Sequence, residues 1–127
     1  MDERPDTVCS MPFRNPPKRC RETIRLLRNG SIEAEIYDFS EIAHGCYGSD
    51  ITYILTLDYQ SVCQLMDKIR PENHQQNFDG VSEFDLYRVA QRLDSYTTFK
   101  GFCRFNKIPC SQVFISNDQV RRESKLC

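Results

Sequence analysis

The stretch TIRLLRNGSIEAEI, residues 23–36, decides the fold because it contains two alternating runs and the turn between them. Asn-Gly between such runs is a strong short-range signal for a β-hairpin. A two-residue loop would place Leu26 opposite Glu33, which mixes polar and apolar side chains on one face. A three-residue loop ending at Gly30, with this glycine left-handed, gathers the apolar residues on one face. We therefore predict a bulged hairpin with Arg25 opposite Glu33.

The residues after this hairpin predict one strong strand, three helices and a short last strand. Apolar residues alternate with good strand formers in ITYILTL, residues 51–57. Three amphipathic helices follow, capped at Asp58, Ser82 and Ser95. A short strand at 113–115 ends the pattern. The order β-β-β-α-α-α-β predicts an α+β domain with a small antiparallel sheet and helices packed on one face.

The chain length predicts one domain, since 127 residues are enough for a single core. Residues 1–21 hold four of the six prolines and show no period, which predicts a flexible basic, proline-rich arm. Residues 22–116 are the predicted single α+β domain. Residues 117–127 are polar and form the predicted C-terminal tail.

The apolar patterning and the first residues predict a cytoplasmic protein. The longest apolar runs have four residues or fewer, so we expect no membrane span. The N-terminus lacks the basic-then-apolar pattern of a signal peptide. Seven cysteines, an odd number without such a signal, predict buried thiols that act as small apolar groups, not a disulfide framework.

Charge is distributed unevenly along the chain. Residues 1–30 carry seven basic and four acidic groups, residues 31–99 carry four and twelve, and residues 100–127 carry six and two. The acidic middle block predicts a surface that repels nucleic acid and anionic membranes and attracts a basic protein. We therefore expect a small non-catalytic protein-interaction domain, a description that toxin-neutralising immunity proteins and adaptors both meet. Nucleic-acid binding by the basic arm and tail is the third hypothesis, and it is disfavoured because the basic stretch is short and Phe13 is the one aromatic residue in the arm.

Residues 38–50 form the candidate binding loop, because a connection of this length is longer than a hairpin needs. Its candidate residues are Asp38, Glu41, His44, Cys46, Tyr47 and Asp50. The spacing of His44 and Cys46 matches no common zinc motif, and no phosphate-loop or dinucleotide motif occurs. We therefore expect no metal and no cofactor.

The alternative function is a small enzyme or ligand-binding domain centred on the His44–Asp50 loop. Cys46 acting as a nucleophile would need His44 as its base and a third group to orient the imidazole. Residues two apart on an extended segment point the same way, so such a contact is compatible with the spacing. The plainest interpretation is a connecting loop with side-chain-to-backbone turns at Asp38, Ser40 and Asp50.

Overall fold

A computed structural model of the protein describes residues 6–47, 49–70, 80–116 and the backbone of 121–126. These residues form six strands and four helices. In chain order the elements are β1 (Thr7–Pro12), β2 (Cys20–Leu27), β3 (Ile32–Asp38), α1 (Glu41–Tyr47), β4 (Ile51–Leu57), α2 (Tyr59–Ile69), α3 (Glu83–Arg92), α4 (Tyr96–Phe105), β5 (Cys110–Ser116) and β6 (Arg121–Leu126). The predicted α+β class is confirmed.

The observed order differs from the predicted order by three added elements. Helix α1 lies within the predicted candidate loop, while β1 and β6 lie in the segments predicted to be arm and tail. Strand β1 is short, and its inward residues are Cys9 and Met11, so its alternation is weak in the sequence. Strand β6 has the sequence RRESKL, which carries no apolar alternation. Helix α1 contains Gly45, a poor helix former.

The sheet is an antiparallel meander in which each strand pairs with its neighbours in the chain, in the order β1-β2-β3-β4-β5-β6. The bulged β2–β3 hairpin is confirmed, because Arg25 pairs with Glu33 and Leu26 pairs with Ile32. Gly30 has φ +88°, and a Cβ there would lie 2.6 Å from Cδ1 of Tyr59. Both the left-handed backbone and the close aromatic ring therefore favour glycine at this turn.

The core lies between one face of the sheet and the three longer helices. The buried strand residues of this face include Ile24, Leu26, Ile32, Ala34, Leu55 and Leu57. The helices contribute buried residues that include Val62, Leu65, Met66, Leu86, Val89, Phe99 and Cys103. Burial of each larger aliphatic side chain stabilises the fold by about 1.5–3 kcal/mol. The opposite face carries Arg25, whose guanidinium forms ion pairs with Glu33 and Glu35.

The predicted helix N-caps are confirmed at all three positions. The carboxylate of Asp58 accepts a hydrogen bond from the Ser61 amide at 2.9 Å. Ser82 and Asp85 form a reciprocal capping box, and the Ser95 hydroxyl accepts from the Thr98 amide at 3.2 Å. Local capping chemistry thus determines where α2, α3 and α4 begin.

Glu22 is a carboxylic acid on the core-facing side of β2, only 1% exposed. Its Oε1 accepts a hydrogen bond from the Tyr96 amide at 2.7 Å, at the first turn of α4. Its Oε2 has no hydrogen-bond partner among the described residues. Burial raises the pKa of Glu22, and the Tyr96 hydrogen bond, which lowers it, does not compensate. Ionisation of Glu22 is therefore less favourable in the folded protein than in the unfolded chain.

We expect Glu22→Gln to stabilise the protein at pH 7 by about 1 kcal/mol, because the amide is neutral and still accepts from Tyr96. Because the pKa of Glu22 is higher in the folded than in the unfolded protein, protonated Glu22 stabilises the folded state fully below the unfolded pKa of about 4.3. This contribution is lost as the pH rises through the folded pKa. The difference in the free energy of unfolding between Glu22→Gln and the native protein should therefore decrease towards pH 4. Urea unfolding of both proteins from pH 4 to pH 7 measures this. A difference in the free energy of unfolding that does not change with pH would contradict the raised pKa of Glu22.

Candidate functional site

Helix α1 begins at a turn built by two polar side chains. Asp38 accepts a hydrogen bond from the Ser40 amide at 2.9 Å, and the Ser40 hydroxyl accepts from the Ala43 amide at 3.2 Å. Glu41 in the first turn is favourable beside the positive end of the helix dipole. Ala43 is buried and anchors the helix to the protein. Two of the three predicted side-chain turns, those at Asp38 and Ser40, are therefore present, but they initiate a helix.

Asp50 joins α1 to the sheet, because its carboxylate contacts two other side chains. The Tyr37 hydroxyl donates a hydrogen bond to Oδ2 of Asp50, and Nε2 of His44 lies 2.6 Å from Oδ1. The hydrogen bonds from Tyr37 and His44 lower the pKa of Asp50. The same contact with Asp50 raises the pKa of Tyr37. This trio holds the end of α1 against the adjoining ends of β3 and β4.

The structure does not bring His44 and Cys46 together. Both residues lie in α1, where two positions correspond to a rotation of about 200°, so their side chains leave different sides of the helix. The expectation that they point the same way assumed an extended segment and is wrong. Asp50 orients the imidazole, but the nucleophile–base contact that cysteine catalysis needs is not formed by this pair.

We name the exposed side chains on and just before α1 the α1 surface; they belong to Phe39, Glu41, Ile42, His44, Cys46 and Tyr47. Ile42 is 77% exposed, and Phe39 and Tyr47 are also exposed. Glu41, which precedes Ile42 in α1, adds an exposed acidic side chain. The surrounding sequence, residues 29–67, contains seven Asp and Glu residues and no Lys or Arg. The α1 surface therefore combines exposed apolar side chains with the carboxylate of Glu41, within an acidic segment of the sequence.

Asp38 contacts both the start of α1 and strand β2. It pairs with Cys20 across the β2–β3 ladder, and the two side chains form a hydrogen bond. Burial, with the nearby carboxylates of Asp38 and Glu22, raises the pKa of Cys20 to about 11. Cys20 is therefore a neutral thiol at pH 7. The candidate residue Asp38 therefore stabilises the junction of β2, β3 and α1.

Tyr47 connects the α1 surface to a row of aromatic side chains on the core-facing side of the sheet. Its ring centroid lies 5.3 Å from that of Phe114, and Phe114 lies 5.1 Å from Tyr53. Tyr53 in turn lies 6.5 Å from Tyr96 of α4. These four rings come from α1, β4, β5 and α4, so only the folded chain brings them together.

Next to these rings, a cleft of about 490 Å³ lies between α4 and strands β3 to β5. Tyr53 and Gln112 line it from the sheet, and Lys100, Gly101 and Arg104 line it from α4. Sequence reasoning missed this cleft because its walls are distant in the chain. The one local signal is the spacing of Lys100 and Arg104, which places two cations on one side of a predicted helix.

Comparisons with protein-family models, with curated proteins and with solved structures found no match. Within the described parts of the chain, no three His, Cys, Asp or Glu side chains are grouped so that they could hold a metal ion. In the same residues, no helix has the length and apolar content needed to cross a bilayer.

Proposed function

We propose that this protein is a non-catalytic interaction domain whose α1 surface binds a protein partner with a basic surface. The observation that carries the proposal is Ile42, which is 77% exposed on a helix with neighbouring carboxylates. Exposed apolar groups bordered by charge are typical of an interface with an apolar centre and a polar rim. The acidic block from 29 to 67 determines the sign of the partner's charge.

The α1 surface is held in place before any partner binds. Ala43 is buried beneath it, and the carboxylate of Asp50 contacts both Tyr37 and His44. A surface that is ordered in advance loses less conformational entropy on binding. Negative charge raises the association rate with a basic partner, and this effect weakens as salt screens it.

The test is affinity capture from a cell extract with matched surface variants. Glu41→Lys reverses a charge on the α1 surface, and Ile42→Asp removes its most exposed apolar side chain. Glu83→Lys makes the same charge change on α3, where Glu83 is also exposed and lies outside the acidic block, and serves as the control. We expect a partner that the native protein and the control both retain, that both α1 variants lose at least tenfold, and that salt weakens. Equal capture by all four proteins, or salt-insensitive capture, would contradict the proposal.

The alternative, a small enzyme or ligand-binding domain at the His44–Asp50 segment, rests on the 2.6 Å contact between those two side chains. Its catalytic form requires a base for Cys46, and α1 directs His44 elsewhere. If Cys46 were nevertheless activated, it would react with iodoacetamide much faster than an exposed cysteine in an unfolded peptide, and His44→Gln would slow it. We expect no such dependence on His44.

A further inference from the structure

We infer that the cleft between α4 and strands β3 to β5 binds a small organic anion with a flat apolar body. Its volume of about 490 Å³ falls within the range of small-molecule sites, about 300–1,000 Å³. The inference does not depend on the proposed partner at the α1 surface, because a different group of residues carries it.

The α4 wall of the cleft is locally unfavourable for a helix in two ways. Lys100 and Arg104 are four residues apart, so two like charges lie on one side, a spacing that destabilises a helix. Neither cation forms an ion pair within the part of the chain that the structure describes. Gly101 lies in the helix interior, where glycine is less favourable than alanine. Unfavourable local choices concentrated at one place are typical of functional sites.

Packing does not account for Gly101. A Cβ at this position would meet no atom within 4 Å, so a larger residue would fit the helix without a clash. A larger side chain would instead fill the cleft that Gly101 lines. The glycine therefore keeps space open beside Lys100 and Arg104. An anionic group in this space could form charge-assisted hydrogen bonds with both cations.

The apolar side chains that line the cleft fit the flat body of such a ligand. Tyr53 and Tyr96 supply aromatic faces, with ring centroids 6.5 Å apart, and Ile36 adds an aliphatic contact. The Tyr96 hydroxyl donates to Oε1 of Gln112 at 2.8 Å, which leaves the amide N–H groups of Gln112 as donors for a ligand.

Charge fixes the orientation of the ligand. Lys100 and Arg104 line the cleft from α4, whereas Tyr53 and Ile36 line it from the sheet. The anionic group therefore lies beside Lys100 and Arg104, and the flat body lies against Tyr53 and Tyr96.

Two matched fluorescent probes test the inference. 8-Anilinonaphthalene-1-sulfonate has a flat apolar body and an anionic group, and N-phenyl-1-naphthylamine has the same body without the charge. We expect saturable binding of the sulfonate that 1-naphthoate or 1-naphthyl phosphate displaces, and the better competitor identifies the anionic group as carboxylate or phosphate. Failure of both competitors, or no saturable binding up to millimolar probe, would overturn the inference.

Variants locate the binding to the cleft. The double variant Lys100→Ala/Arg104→Ala should weaken binding of the sulfonate about tenfold and that of the neutral probe much less. Gly101→Leu should abolish binding of both probes by filling the cleft. Lys68→Ala, which removes an exposed lysine from α2, is the control and should change neither. Circular dichroism verifies that each variant is folded. Unchanged sulfonate binding in both cleft variants would overturn the inference, whatever happens at the α1 surface.

Discussion

Replacing Phe99 by alanine is expected to lower the free energy of unfolding by about 3–5 kcal/mol. Phe99 is completely buried, and its ring centroid lies 6.0 Å from that of Phe13, which precedes β2. The substitution removes a large apolar side chain and leaves a cavity between α4 and the sheet. Since small domains are stable by only about 5–15 kcal/mol, the loss is a large fraction of the total.

Phe105→Ala is the matched control for this change. Phe105 lies six residues further along α4 and is 86% exposed, so its removal should change the free energy by less than about 0.5 kcal/mol. Urea unfolding followed by circular dichroism at 222 nm measures both variants. Similar losses for the two would contradict the orientation of α4 on the sheet.

The second large effect is expected for Asp85→Ala, which should lower the free energy of unfolding by about 3 kcal/mol. Oδ2 of Asp85 accepts hydrogen bonds from Nη2 of Arg70 at 2.8 Å and from the Ser82 amide at 3.0 Å. The Arg70 and Asp85 side chains are each 13% exposed, so the ion pair is largely shielded from water. The substitution removes the Asp85 half of the α3 capping box and, with it, the ion pair that links α3 to the end of α2.

The pH dependence distinguishes this ion pair from simple packing. Burial tends to raise the pKa of Asp85, but hydrogen bonds from Arg70 and Ser82 together outweigh burial and lower it. Because the pKa of Asp85 is lower in the folded than in the unfolded protein, ionised Asp85 stabilises the folded state above the unfolded pKa of about 3.9. This contribution is lost as the pH falls through the folded pKa. The difference between the native protein and Asp85→Asn should therefore shrink below pH 4. Glu83→Ala, in the same helical turn, is the control and should change stability only slightly.

The features that the sequence predicts correctly are those determined by neighbouring residues. Asn-Gly and the alternation around it determine the β2–β3 register, which the Arg25 and Glu33 pairing confirms. The caps of the three longer helices are equally local, because each side chain bonds an amide within three residues. In these cases the interactions that stabilise the predicted element join residues only a few positions apart in the chain.

The features that the sequence missed depend on contacts between distant segments. Strand β1 gains its place from pairing with β2 and from Phe13, which is buried against α4. Helix α1 contains a poor helix former, and it is held by Asp50, which lies beyond its end, and by Tyr37 on β3. The cleft at Lys100 exists only because α4 lies over β4 and β5. The sequence pattern of a single segment therefore cannot predict strand β1, helix α1 or the cleft.

The most direct test of the proposed function is a map of amide chemical shifts, recorded on isotope-labelled protein as the captured partner is added. If the α1 surface is the interface, the largest changes will fall between residues 38 and 50, and Glu41→Lys will remove them. Changes concentrated on α3 or on β1, with residues 38–50 unaffected, would contradict the proposal.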